Sequence, residues 1–187
     1  MEIVNLEKLY HRSKKRIDEL GEVFTPEKYV EDMLNMFGAA KSKFWADESN
    51  MFFEPCCGHG NIVLAIYRRR AEALYKANLA VYTKEAAFYA IANSLNSIWA
   101  IDIDTKNVES CRARVLLYTI EFLKEKLNID DTKELISKND DFFAHILSAI
   151  RWHIYENESV SSISNEGSYL KSAGRTKLDL PPKNMST

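Results

Sequence analysis

One short stretch does most to limit the folds open to this chain. It is an apolar run that ends in an acid and a proline, Phe52-Phe53-Glu54-Pro55, followed by a turn that contains Gly58 and Gly60. The run predicts a buried strand and Asn61 begins a predicted helix, so the glycines lie between the two. Two glycines one residue apart let a ligand approach the backbone, and the acid can accept hydrogen bonds from an amine or a hydroxyl. The pattern is typical of a nucleotide-type cofactor site at the carboxyl edge of an α/β sheet.

Hydrophobic periodicity predicts a helix-rich chain with two strands. Helices are expected over residues 5–20, 25–37, 61–78, 84–94, 105–127 and 140–157, and strands over 51–54 and 97–102. Thr25 is the predicted N-cap of the second helix, with Pro26 at its first position, and Asp104 is the predicted cap of the helix that begins at Thr105. After residue 158 the chain is rich in serine, so we expect residues 159–187 to form a mobile or partner-dependent tail.

The composition is that of a soluble globular protein of one domain. The chain has 187 residues, of which 46% are hydrophobic and 28% are charged. It has no apolar run near 18 residues, no signal-peptide pattern, and three cysteines of which two are adjacent. These features favour a reduced, cytoplasmic compartment and no membrane insertion.

Charge gives no overall signal for nucleic-acid binding, because the formal net charge is −2. A DNA contact would depend on a local basic cluster or on a partner. The first predicted helix carries such a cluster, Arg12, Lys14, Lys15 and Arg16, and a second lies at residues 68–70. Both are also explained by a solvated helix face.

Three sequence elements occur in a characteristic order. They are Gly21-Glu22-Val23-Phe24-Thr25-Pro26, the loop from Glu54 to Gly60, and Ile98-Trp99-Ala100-Ile101-Asp102-Ile103-Asp104. Together they resemble the adenine-N6 DNA methyltransferases of restriction–modification systems, which use S-adenosylmethionine, and especially small phage-type methylase subunits. The resemblance covers residues 20–115. It implies an α/β, helix-rich, truncated Rossmann-like methyltransferase fold with few strands and a helical insertion.

The resemblance also implies a set of cofactor-binding residues: Phe24, Thr25, Pro26, Glu54, Pro55, Gly58, Gly60, Asp102 and Ile103. In that family the glycine loop wraps the methionine part of the cofactor, and the threonine contacts its carboxylate. Asp102 would accept hydrogen bonds from both ribose hydroxyls, and Ile103 would lie against the adenine. The alternatives are a plain strand–helix turn, an ordinary Thr-Pro helix start and an exposed acid at a strand end. The adjacent Cys56 and Cys57 make poor joint metal ligands, so no metal site is predicted.

One element of the family is missing from the sequence. Adenine-N6 enzymes carry a (D/N/S)PP(Y/F/W) tetrapeptide that holds the flipped target base. The double proline of this chain, Leu180-Pro181-Pro182-Lys183, has leucine and lysine at the two decisive positions. A target-recognition domain is not recognisable either. We therefore assign no catalytic residues and expect a methyltransferase-like subunit or degenerate methylase that does not catalyse alone.

The expected organisation is a single methyltransferase-like domain over residues 1–158. It comprises N-terminal helices (1–40), a cofactor-binding core (51–127) and a C-terminal helix (139–158). The expected partners are a protein that carries the catalytic and target-recognition parts, and a second copy of the chain in a homodimer, in the cytoplasm of a bacterial or phage-infected cell. An alternative from another class is a phage-type regulatory or anti-restriction protein that uses a methyltransferase-like surface without methyl transfer.

Overall fold

The computed structural model describes residues 25–37, 42–83 and 85–159. In chain order the elements are α1 (Glu27–Met36), α2 (Ser42–Ala46), β1 (Phe52–Glu54), α3 (Asn61–Tyr82), α4 (Glu85–Asn96), β2 (Ile98–Asp102), α5 (Thr105–Leu127), α6 (Thr132–Lys138), α7 (Asp140–His153) and β3 (Ile154–Glu156). The helix predicted over 5–20, the basic cluster at 12–16, Phe24 and the predicted tail from residue 160 onward lie outside the described residues.

The three strands form one parallel sheet in the order β1-β2-β3. Phe53 lies opposite Trp99, and Ala100 lies opposite Ile154. Parallel neighbours need crossover connections, which α3 and α4 supply between β1 and β2, and α5, α6 and α7 between β2 and β3. The predicted class, a helix-rich α/β protein with few strands, is confirmed.

The main core lies against one face of the sheet. The strand residues that join the buried apolar cluster are Phe52, Ile98, Ala100 and Ile154, together with residues of α3, α4, α5 and α7. Successive strand side chains point to opposite faces. On the second face Phe53 is 52% exposed and Trp99 is half-buried. Ile101 lies on this second face too and is buried, so the main core is on one side of the sheet while the other face is covered in part.

The last strand corrects the sequence prediction. A helix was expected over residues 140–157, but α7 ends at His153 and residues 154–156 pair in parallel with β2. The prediction was wrong because Ile154 follows Ile150 at helical spacing and no turn residue separates the helix from the strand. Pairing with β2, a tertiary contact, decides the conformation here, and Ile154 is fully buried.

The helix starts give one confirmation and one correction. Asp104 caps α5 as predicted, because its side chain accepts hydrogen bonds from the backbone N–H groups of Lys106 and Asn107. At α1 the N-cap is Pro26 rather than Thr25, and the helix begins at Glu27. The carbonyl of Pro26 accepts the first helical hydrogen bonds, so the whole start is displaced by one residue. The short helices α2 and α6 were not predicted.

Consecutive arginines on α3 link it to neighbouring elements. Arg69 donates to Asn35 of α1 at 2.9 Å. Arg70 is fully buried and donates to the carbonyl oxygens of Trp45 at 3.1 Å and Asp47 at 2.9 Å. Burial lowers the pKa of Arg70. The prediction of a solvated helix face is therefore wrong for Arg70, which satisfies backbone carbonyls at the end of α2.

Candidate cofactor site

The carboxyl ends of β1 and β2 lie side by side and bring the two predicted acids, Glu54 and Asp102, to one edge of the sheet. The turn after β1 is fixed against β2, because the N–H of Cys57 donates to the carbonyl of Ile101 at 2.8 Å. The turn then closes on itself through a 2.8 Å bond from the N–H of Gly60 to the carbonyl of Cys57. Ligands of open parallel sheets bind at this edge.

Asp102 organises this edge. It is 9% exposed, and its Oδ2 accepts a hydrogen bond from the N–H of Gly58 at 2.8 Å. Its Oδ1 accepts from the N–H of Asp104 at 2.9 Å and from Nδ2 of Asn107 at 3.3 Å. A carboxylate offers about four acceptor positions. Donors from the described part of the chain use three of them, so one remains for a ligand. The sequence interpretation required two, one for each ribose hydroxyl.

Glu54 lies half-buried beside Asp102, and its Oε1 accepts from the N–H of Cys56 at 3.1 Å. Burial raises the pKa of Glu54, the Cys56 hydrogen bond acts in the opposite direction, and the charge of Asp102 raises it further. Two acids therefore share a partly dehydrated edge. A cationic group bound there would relieve their mutual repulsion.

The two glycines have different surroundings. Gly58 adopts φ +52°, and a Cβ built on it would meet nothing within 4 Å. Gly60 adopts φ +94°, and its Cβ would lie 2.5 Å from Sγ of Cys111 on α5. Gly58 therefore leaves open space at the sheet edge, whereas Gly60 allows the turn to pack against α5.

Ile103 presents an apolar side chain beside Asp102, with 62% of its surface exposed. Its position is fixed on both sides, since Asp102 accepts from the N–H of Asp104 and Asp104 caps α5. An exposed aliphatic side chain held in this way can lie against a flat apolar ligand group.

Thr25 lies beside the start of α3, directly after the glycine turn. Its carbonyl accepts a hydrogen bond from Nδ2 of Asn61, the first residue of α3, at 3.0 Å. Nη1 of Arg114 donates to Oδ1 of Asn61 at 2.9 Å and to the carbonyl of His59 at 2.9 Å. Pro26 follows Thr25 as the N-cap of α1.

Pro55 contributes its carbonyl to a different contact. That carbonyl accepts a hydrogen bond from Oγ of Ser159, and the N–H of Asn157 donates to the carbonyl of Asp102 at 2.9 Å. The chain that follows β3 therefore returns along the carboxyl edge, first past β2 and then past β1.

Sequence reasoning missed three residues of this edge. Asn107 lies three residues after the cap Asp104, and that spacing was the available signal; its burial beside Asp102 is seen in the structure alone. Arg114 and Ser159 are far from the turn in sequence, and no local motif marks them.

Within residues 25–37, 42–83 and 85–159, no cluster of three or more histidine, cysteine, aspartate or glutamate side chains has the arrangement of a metal site. Over the same residues, none of the helices combines the length and apolar character needed to cross a membrane.

Comparison with known proteins gives no match: no protein-family model, no curated protein and no solved structure is similar to this chain.

Proposed function

We propose that this chain is an S-adenosylmethionine-binding protein of the DNA adenine-N6 methyltransferase type, with a truncated Rossmann-like fold. The observation that carries the proposal is the convergence of Glu54, Asp102 and the open space at Gly58 at the carboxyl edge of two parallel strands. A glycine turn that leaves room for a ligand beside two acids suits a nucleoside with a cationic chain.

Charge supports this ligand class. S-adenosylmethionine carries a sulfonium and an ammonium group, and the edge carries the carboxylates of Glu54 and Asp102. The raised pKa of Glu54 reflects burial together with the charge of Asp102. A bound cation would lower that pKa again, which is equivalent to binding energy.

The two ends of the ligand have separate partners in the proposal. Ile103 would support the adenine, and the remaining acceptor position of Asp102 would bind one ribose hydroxyl. The carboxylate of the amino-acid part would lie near the start of α3, whose N-cap, Gly60, supplies no side-chain cap. Free backbone N–H groups and the helix dipole both favour an anion there.

Methyl transfer itself is assigned to a complex rather than to the isolated chain. The sequence lacks a recognisable (D/N/S)PP(Y/F/W) tetrapeptide. Because that motif holds the target base, a partner protein would have to supply it together with target recognition. The chain then acts as a cofactor-binding subunit or as a degenerate methylase.

Calorimetry with S-adenosylmethionine tests the cofactor assignment. Wild-type protein is expected to bind one equivalent, and Ile103→Ser to weaken binding about tenfold, because the apolar support for the adenine is lost. Leu117→Ser is the matched control, since Leu117 is 59% exposed on α5. Ile103 is preferred to Asp102 for this test because a change at Asp102 would also release the glycine turn.

Absence of binding by the wild type would remove the cofactor assignment and leave the regulatory interaction protein as the surviving alternative. Equal affinities of Ile103→Ser and Leu117→Ser for S-adenosylmethionine would contradict only the assignment of Ile103 to the adenine.

A second measurement tests the subunit role. The purified chain is expected to transfer no labelled methyl group to DNA. Transfer by the isolated chain would contradict that role.

A further inference from the structure

Arg114 occupies an unusual position on α5. It is half-buried, and its Nη1 lies 2.9 Å from three acceptors, the carbonyl oxygen of His59, Nδ1 of His59 and Oδ1 of Asn61. One Nη group carries two hydrogens, so these acceptors compete for it and hold it in place from several sides. The side chain thereby joins the middle of α5 to the end of the glycine turn and the start of α3.

The orientation of Asn61 follows from this contact. A guanidinium only donates hydrogen bonds, so the amide oxygen of Asn61 must face Arg114. The amide nitrogen then faces the other way and donates to the carbonyl of Thr25 at 3.0 Å. Arg114 thus fixes Thr25 beside the turn through one intermediate side chain.

A second network serves the other end of the candidate site. Asp102 holds Gly58, Asp104 and Asn107, next to Ile103. The hydrogen bonds of Arg114 reach His59 and Asn61 instead, and through Asn61 the segment at Thr25. The two ends of the site are therefore positioned by different side chains.

We propose that Arg114 is a positioning residue that sets the amino-acid end of this site, so that the site prefers nucleosides that carry an α-amino-acid chain. This inference rests on the proposed function. Arg114 acts through Asn61 and the turn, and its charge adds to the positive potential at the start of α3. Loss of Arg114 releases Thr25 and Asn61 and leaves the Asp102 network in place.

Two ligands that differ only in the group on the sulfur separate this role from a general structural one. We compare S-adenosylhomocysteine with 5′-methylthioadenosine; both are uncharged thioethers of the same nucleoside, and only the first carries the α-amino-acid chain. Arg114→Met is expected to weaken binding of S-adenosylhomocysteine at least tenfold and binding of 5′-methylthioadenosine less than twofold. Arg114→Lys keeps the charge and is expected to restore part of the preference.

Arg112→Met is the matched control on the same helix. Arg112 also donates to backbone carbonyls, those of Ile154 at 2.8 Å and Arg151 at 3.1 Å, but these belong to β3 and α7. Its removal is expected to lower the melting temperature and to leave the ratio of the two affinities unchanged. The proposal is supported if the affinity for the ligand with the amino-acid chain, relative to that for 5′-methylthioadenosine, falls in Arg114→Met and does not fall in Arg112→Met.

If Arg114→Met lowers the affinity for both ligands by the same factor, the positioning role is overturned and the proposed function stays intact. Should Arg114→Met fail to fold, the ratio measured for Arg114→Lys decides, and an unchanged ratio overturns the role. If the wild type binds neither ligand, the proposed function fails and this inference fails with it.

Discussion

The two halves of the glycine turn use the same residue type for opposite purposes. Gly58 faces open space, and its N–H is held by Asp102. Gly60 faces Cys111 of α5 at a distance that leaves no room for a side chain. Both glycines have positive φ, yet one borders open space at the sheet edge and the other lets two elements approach. Substitutions in the two halves should therefore separate binding from stability.

The largest effect is expected at Gly60. Gly60→Ala places a Cβ 2.5 Å from Sγ of Cys111 and strains the backbone at φ +94°, so it should cost about 2–5 kcal/mol of unfolding free energy. Urea denaturation measures this loss. In a Cys111→Ala background the same change should cost at least about 1 kcal/mol less, because the overlapping sulfur is absent. The same cost in both backgrounds would argue against packing on α5 as the reason for this glycine.

Gly58→Asn should have a smaller effect on stability and a large one on binding. Asparagine tolerates left-handed backbone, and a Cβ at this position meets nothing within 4 Å, so the expected cost is about 1 kcal/mol or less. The side chain enters the space proposed for the cofactor, so calorimetry should detect no binding of S-adenosylmethionine. Retained affinity would mean that the cofactor does not use this space.

The smallest effect is expected at Glu54. Its pKa is raised in the folded state, so ionisation disfavours folding, and that penalty is fully present above the folded pKa. Glu54→Gln should therefore increase stability at pH 7. The gain should shrink as the pH falls through the folded pKa toward the ordinary value of 4.5, where both states are increasingly protonated.

Thermal melts between pH 4 and pH 8, a range chosen to bracket the acid transition, measure this dependence for Glu54→Gln. Glu121→Gln, on an exposed part of α5, is the control and should show no comparable change with pH. A gain for Glu54→Gln that persists unchanged at the lowest pH would contradict the assigned cause. The same variant should bind S-adenosylmethionine more weakly, since one carboxylate is lost.

Local signals explain what could be predicted from the sequence. The helix over residues 105–127 is confirmed at both ends, because an N-cap, Asp104, and an αL residue, Asn128, enclose a periodic segment. The meeting of Glu54, Gly58 and Asp102 was also predictable, since parallel strands place their carboxyl ends at one edge.

Non-local contacts explain the rest. β3 follows α7 without a turn residue, so only its pairing with β2 distinguishes it from another turn of helix. Arg114 lies 53 residues from Asn61 in the chain, and its neighbours on α5 give no sign of a partner in the turn. The occupied acceptor positions of Asp102 likewise depend on Gly58, 44 residues away.

The way in which β1 ends has a consequence for association between chains. The N–H of Phe52 donates to Ser97 beside β2, so by alternation the backbone polar groups of Phe53 point away from that strand. Among the described strands β1 pairs with β2 alone, and such an edge can recruit strands of other molecules. Glu54 adds a charge and Pro55 has no N–H to donate, and both features limit this edge pairing. Replacement of Pro55 by an apolar residue would therefore lengthen the strand edge that can pair with other chains, and would favour aggregation.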